Sequence, residues 1–288
     1  MIQYFINGAK RVLGLHRLGR ELHILPDDTF LVSYPKSGNT WARLLIANLL
    51  SPGKPADLWA INRLVPELEG VSKRQLVSMP RPRIIKSHFA FDPRYPRVIY
   101  IVRDPRDVLV SEYHYQRKTR QIPDQYPMAD YVARFIAGKT CPEDGSWAQN
   151  VASWIVTRGD RGFLLIRYER LLADTAGEMA RIADFLRISV TPQQLAEIVR
   201  FSSADRMRKL EATQSQASSL MKHGRKDVAF VRSAKSGGWK AELPASLAEK
   251  IEGAWGPLMR HLGYELHFAL SVEGVDASDF ILTKRSSA

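Results

Sequence analysis

Residues Thr29–Leu50, TFLVSYPKSGNTWARLLIANLL, decide how the rest of the chain is read. Thr29–Tyr34 is an apolar run that predicts a buried strand, Pro35–Asn39 a tight loop, and Thr40–Leu50 an apolar helix. A strand that turns sharply into a helix aims a row of backbone N–H groups at one point, where the helix dipole adds roughly half an elementary positive charge. Lys36 brings a full charge, and the Ser37 and Thr40 hydroxyls bring directional donors. Gly38 lets the backbone approach an anion closely. The stretch reads as a phosphate cradle. A strand-to-helix turn with a solvated Lys36 is the other reading, and the spacing of a Walker A loop is absent because Lys36 precedes its glycine.

Outward from the cradle, Arg83–Lys86 (RIIK), Arg97–Val102 (RVIYIV) and Phe163–Arg167 (FLLIR) predict three further strands. Helices are expected at about 105–118, 128–137, 146–158, 176–186 and 192–199. A final helix is marked by Leu247, Ile251, Leu258 and Leu262, with Gly256-Pro257 expected to bend it. Residues 1–24 suggest a short helix with a basic side, 56–82 an irregular excursion with short helices, 213–238 a mobile loop, and the stretch beyond Ser271 a peripheral tail. Strands that alternate with helices predict an α/β fold, a doubly wound parallel sheet in one domain spanning 1–288, with its site at the strand C-termini. The cradle, Lys86–His88 and Arg103 all fall at such ends.

The chain has 288 residues, enough for a sizeable core, and ordinary hydrophobic and charged fractions of 45% and 25%. Its single cysteine, Cys141, excludes an internal disulfide framework and fits a reducing compartment. No apolar run approaches the ~20 residues of a membrane span. Lys10, Arg11, Arg17 and Arg20 interrupt any secretory signal. The expected location is cytoplasmic. A net charge of +12 predicts an anionic partner without choosing which one.

Three features join the cradle. Arg103 ends a buried strand, with Ser111 two helical turns on; an ion pair from Arg103 to Asp104 or Asp107 is the structural alternative. His88 ends another strand and is either a satisfied core histidine or a general base. Phe230–Lys240, FVRSAKSGGWK, combines cations, glycines and an aromatic in a loop able to close over a nucleotide. Phe89, Phe91, Tyr113, Tyr115 and Trp147 are candidates for an apolar acceptor pocket, although aromatics in such segments more often pack the core.

YPKSG-x-TW resembles the 5′-phosphosulfate loop of the sulfotransferases that use 3′-phosphoadenosine-5′-phosphosulfate (PAPS). VIYIVRDPRDVLVSEYHY is similar to their 3′-phosphate strand and helix, IKSHF to their K-T-H segment, RYERL to their Y-E-D stretch, FSSADRM to T-S-F-x-x-M, and FVRSAKSGGWK to R-K-G-x-x-G-x-W-K. These motifs keep family order across roughly residues 29–240. The resemblance implies PAPS as co-substrate, held by Lys36, Ser37, Gly38, Asn39, Thr40, Trp41, Arg103, Ser111, Tyr168, Ser202 and Arg232. It implies His88 as catalytic base, Lys36 at the leaving phosphate oxygen and Lys86 as an auxiliary cation. Ala204 stands where a stacking Phe is common, so adenine stacking rests more on Trp41. Ser233 and Ala234 replace the Lys-Gly of the closing loop, leaving Lys235 as a steric substitute. A dimerisation stretch is echoed only by Lys240 and Glu249, which leaves the oligomeric state open between a monomer and a homodimer.

The expectation is sulfuryl transfer from PAPS to a hydroxyl or amine of a small-molecule, glycan or lipid acceptor, with no metal and no nucleic-acid partner. Two rivals stand beside it. One is a P-loop-type phosphotransferase using Asp104 for Mg²⁺, and the other a non-catalytic polyanion-binding protein.

Overall fold

The structure, a computed structural model, describes residues 23–157, 159, 162–217, 224–225, 227–232 and 235–268. The helix expected in 1–24 falls almost wholly outside them, as do Ser233, Ala234 and the tail beyond Ser271. Four parallel strands form the centre: β1 (Thr29–Ser33), β2 (Ile84–Ser87), β3 (Arg97–Val102) and β4 (Phe163–Arg167). They lie in the order β2-β1-β3-β4. Thr29 is in register with Ile84 on one side and Arg97 on the other, and Val98 with Phe163. The chain therefore leaves β1 in one direction to make β2, and β3 in the other to make β4. This puts the switch point between β1 and β3, where open α/β sheets bind ligands.

Every residue of β1 and nearly all of β3 is buried, as their apolar runs dictate for a sheet covered on both faces. Alternation sorts the side chains between two cores. Phe30, Val32, Val98, Tyr100 and Val102 pack with α5 (Met128–Ile136), α6 (Trp147–Thr157) and α12 (Ala245–His261). Leu31, Ile99, Ile101 and Ile166 pack with α1 (Asn39–Leu49), α8 (Thr175–Leu186) and α9 (Pro192–Phe201). The outer side of α1 meets α2 (Leu58–Leu64) and α10 (Ala204–Gln214) through Leu44, Ala47, Ile61, Met207 and Leu210. The short helix α3 (Lys73–Ser78) lies in the excursion before β2, and α7 (Tyr168–Ala173) follows β4 directly.

Two capping details position the site. Helix α4 (Pro105–Lys118) begins at Asp104, whose carboxylate accepts the Arg106 N–H at 2.9 Å, with Pro105 at the first helical position, where a missing N–H costs nothing. At the C-terminal end, α11 (Trp239–Glu242) leads into α12, which continues through Pro257 to His261 as one helix. Arg106 joins these ends, bonding Asp104 and Glu252 and lying over the Trp239 ring at 4.1 Å.

Candidate active site

The loop between β1 and α1 is built on two left-handed residues, Lys36 at φ 64° and Gly38 at φ 93°. For Lys36 this backbone costs about 1 kcal/mol, which the surrounding structure holds in place. At Gly38 no other residue fits, because a β-carbon would stand 2.4 Å from the Tyr168 ring. Ser37 is fully buried with its hydroxyl unpartnered, off the cavity wall, and the Asn39 amide donates to the Ser33 hydroxyl at 3.1 Å.

The Lys36 ammonium sits over the rings of Tyr115 and Phe230, 4.0 and 4.5 Å from their centres. Burial lowers its pKa to about 7, against the pull of the Glu112 carboxyl and with repulsion from Arg103. The Arg103 guanidinium donates to the Lys36 carbonyl at 3.2 Å and the Lys235 carbonyl at 3.3 Å, and stacks over Tyr168 at 4.4 Å. Its Nε is buried and unpartnered, and its reach to Asp107 is a long 3.9 Å. Lys235 is itself exposed and meets Arg103 through its carbonyl.

One cavity of about 520 Å³ takes in Lys36, Gly38, Asn39, Thr40, Trp41, His88, Arg103, Ser111, Tyr168, Ser202 and Arg232. Of the expected site residues, Ser37 and Lys86 are not on its wall. Trp41 stands edge-on to Tyr168 at 5.9 Å and donates its indole N–H to the Ser202 carbonyl at 2.8 Å. Ala204 and Met207 line the same end. Arg232 meets Glu242 at 2.6 and 3.0 Å, and Glu242 also takes the His114 ring nitrogen at 2.6 Å.

His88 is held at both ends. Its Nδ1 lies 2.7 Å from the Ser33 carbonyl, so Nδ1 carries the proton and Nε2 keeps the free lone pair. Its own carbonyl accepts from Asn150 at 2.9 Å. Burial first, and then the charge on Lys86, hold the imidazole well below its usual pKa, so the ring is neutral near pH 7. Lys86 turns away to Glu67 and Glu69 at 3.7 and 3.8 Å. Of the five aromatics considered for an acceptor pocket, only Tyr115 lines the cavity. Phe89, Tyr113 and Trp147 belong to the core, with Phe91 packed against it, because the helices α4 and α6 that carry or cover them fold onto the sheet.

Three residues escaped the sequence reading. Asp107 accepts the Gly237 and Trp239 backbone N–H groups at 2.8 and 3.0 Å and so ties the Gly-rich loop to α4. Asn150 and Glu242 are the others. Asp107 lies four residues beyond Arg103 and was weighed only as its ion-pair partner; the unpaired backbone donors of a Gly-Gly turn were the available signal. Asn150 and Glu242 carry no local signal, since their partners lie far away in sequence.

A family model for the sulfotransferase domain matches residues 26–263. The chain belongs to the sulfotransferase family. Mouse sulfotransferase 2B1 is 30% identical to it over 247 residues, covering 81% of this chain and 71% of that protein. Human sulfotransferase 2B1 is 32% identical over 252 residues, covering 81% and 66%. The crystal structure of mouse SULT7A1 complexed with 3′-phosphoadenosine 5′-phosphate (PAP) superposes with a TM-score of 0.67 at 27% identity, over 82% of this chain and 85% of that one. Retinol dehydratase in complex with androsterone and PAP shares the fold at a TM-score of 0.68 and 20% identity, over 90% and 88% of the two chains. The sulfotransferase family uses PAPS as sulfuryl donor, and the residues here fit such a ligand. Buried unpartnered atoms on Asn39 and Arg103, both on the cavity wall, flank the cradle, and two aromatic walls, Trp41 and Tyr168, stand beside it. Among the described residues no acidic, His or Cys cluster suits a metal ion, and no helix is long and apolar enough to cross a membrane.

Proposed function

We propose that this sulfotransferase transfers the sulfuryl group of PAPS to a hydroxyl or amine of a small-molecule acceptor, with His88 as general base and Lys36 at the leaving oxygen. One observation carries the assignment: His88, Lys36 and Arg103, brought from three separate strand ends, share one cavity, and the imidazole is neutral with Nε2 free to take a proton. The cradle N–H groups, with Thr40, hold the 5′-phosphate; Arg103, Ser111 and Arg232 hold the 3′-phosphate; Trp41 and Tyr168 flank the base.

The acceptor oxygen attacks sulfur as His88 Nε2 removes its proton, and the bond from sulfur to the bridging phosphate oxygen breaks. Negative charge grows on that oxygen. An ammonium at Lys36 placed to meet it is worth about 3–4 kcal/mol, the scale of single preorganised donors. Lys86 acts through its charge on His88, keeping the imidazole deprotonated, while its Glu67 and Glu69 partners hold it off the cavity. The half-buried Cys141, whose thiol burial pushes up, is an inert thiol that suits the cytoplasm.

The test is transfer of ³⁵S from labelled PAPS to a panel of phenols, alcohols and amines, with His88→Ala in parallel. Labelled product that falls about 10²–10⁴-fold in the variant, with PAP affinity kept, is the expected result. A wild-type protein that neither binds PAP nor transfers label sinks the assignment.

A further inference from the structure

Glu112 is a buried carboxyl that the reaction does not use. It sits on α4 between Ser111 and Tyr115, is 1% exposed, and lines the same cavity. No cation lies within ion-pair distance of it among the described residues, and the Lys36 ammonium in the same cavity favours its charged form only from farther off. Its Oε1 accepts only two weak donors, the Cys141 thiol at 3.1 Å and the Gln116 amide at 3.3 Å, and Oε2 has no partner. Thr140, also on the cavity wall, has an unpartnered hydroxyl, as does Tyr131 behind it. Both hydroxyls act on the Glu112 carboxyl as loose donors that favour its charged form, at a geometry short of a full hydrogen bond, so Oε2 keeps an open acceptor site.

A buried carboxyl left this far from satisfied costs several kcal/mol, and natural folds keep such groups for a ligand or a reaction. Burial raises the Glu112 pKa, the sign of a group whose charged form has too few donors. An apolar side chain would fill the same space without that cost. A donor delivered from inside the cavity is the missing partner.

We infer that Glu112, with Thr140 beside it, is the specificity determinant of the acceptor pocket, and that the acceptor carries a second hydrogen-bond donor, a hydroxyl or an ammonium, apart from the group that is sulfated. The inference rests on the sulfotransferase reading and narrows its acceptor. A site built to hydrogen-bond a substrate group discriminates strongly against the analogue that lacks it, because its own polar atoms are then left unpaired. Glu112 touches no reacting atom; its pull on the Lys36 ammonium acts alike on every acceptor, and its open acceptor site acts on acceptor choice.

The experiment uses the full chain and two matched series: 4-ethylphenol, tyrosol and tyramine; hexan-1-ol, hexane-1,6-diol and 6-aminohexan-1-ol. kcat/KM is measured for each with PAPS, and PAP affinity by calorimetry, for wild type, Glu112→Gln and Thr140→Val. In at least one series the donor-bearing members exceed the parent by roughly tenfold or more, and Glu112→Gln cuts that ratio to within about threefold of unity. Preference for the amine alone that Glu112→Gln removes identifies an ammonium; equal preference for diol and amine identifies a neutral donor. Equal rates across both series, an equal loss on parent and donor-bearing members in Glu112→Gln, or no transfer to any member by a chain that binds PAP, each overturn the inference. Loss of PAP binding by the wild type overturns the parent reading instead. Thr140→Val keeps the inference testable should the Glu112 variant fold poorly, and is expected to weaken the same preference.

Discussion

The Nδ1–H of His88 points at the Ser33 carbonyl, 2.7 Å away, so the residue that ends β1 selects the tautomer of the proposed base that follows β2. With Nε2 left basic and the ring held well below its usual pKa, His88 stays deprotonated through mildly acid pH. A base must be neutral to act, so its acid limb lies below the ordinary histidine range. Lys36 must be protonated, and its contribution is lost as pH rises through about 7. The pH profile of kcat/KM for the free enzyme is therefore expected to fall on its alkaline side near neutrality. Lys36→Arg removes that limb, since a guanidinium stays charged. An alkaline limb unchanged in that variant would falsify the assignment of Lys36.

Asn150 bonds the His88 carbonyl at 2.9 Å and accepts from the Tyr100 hydroxyl at 2.8 Å, while Trp154, one turn on, donates to the Phe89 carbonyl at 3.0 Å. Helix α6 thus splints the segment that carries the base. Asn150→Ser is expected to lower kcat by about 10–100-fold through misplacement of His88, with PAP affinity unchanged. Steady-state kinetics beside calorimetry tests this. A parallel loss of PAP binding indicates a general structural role instead.

Gly38→Ala drives a methyl into the Tyr168 ring and places a β-carbon on a left-handed backbone. Overpacking of this kind costs about 1–3 kcal/mol, so a lower melting temperature and PAP affinity reduced by about tenfold or more are expected. A double-mutant cycle with Tyr168→Leu isolates the clash, because neighbours that collide are not additive.

Arg232 spends its guanidinium on Glu242, the same group proposed for the 3′-phosphate. Glu242→Ala releases it and frees His114. Hydrogen bonds to charged groups are worth about 1.5–3 kcal/mol, so PAP is expected to bind about tenfold more tightly, and the gain to shrink in high salt. Isothermal titration at two ionic strengths is the check, and weaker binding in the variant refutes the competition.

Much of this was legible in advance because the sheet is parallel and buried. RVIYIV and FLLIR were placed to the residue, and PRDVLVSEYHYQRK to both ends, since an unbroken apolar run bounded by an arginine (Arg97, Arg167) gives each strand a sharp edge and Asp104-Pro105 marks a helix start chemically. Helix α10 was missed. Only Met207 and Leu210 in ADRMRKLEATQ are buried, too few for a period to emerge from the charges. The acceptor side was read least well. Phe89, Tyr113 and Trp147, candidates for a pocket with core packing as the alternative, are core, and nothing local singles out the buried Glu112. Lys86 was expected at the chemistry but is claimed by Glu67, which a bridge from the irregular excursion brings alongside it. Such pairings depend on distant segments meeting, and no local pattern announces them.

The order of the strands divides the molecule into an inner half and an edge half. The groups proposed for the phosphates hang chiefly from β1 and β3, neighbours in the middle of the sheet, whereas the proposed base, His88, follows β2 at its edge, reached through the excursion of residues 50–83. An edge strand has one neighbour to satisfy and its flanking loops can change length without disturbing the inner pair. Grafting residues 50–96 from another member of the family is thus a route to a different acceptor on the same donor half. The seam of such a chimera runs between β1 and β2, where it must keep the strand ladder, the buried Asp28–Arg83 pair, the Arg43 bonds to Val65 and Glu67, and the bond from His88 to the Ser33 carbonyl.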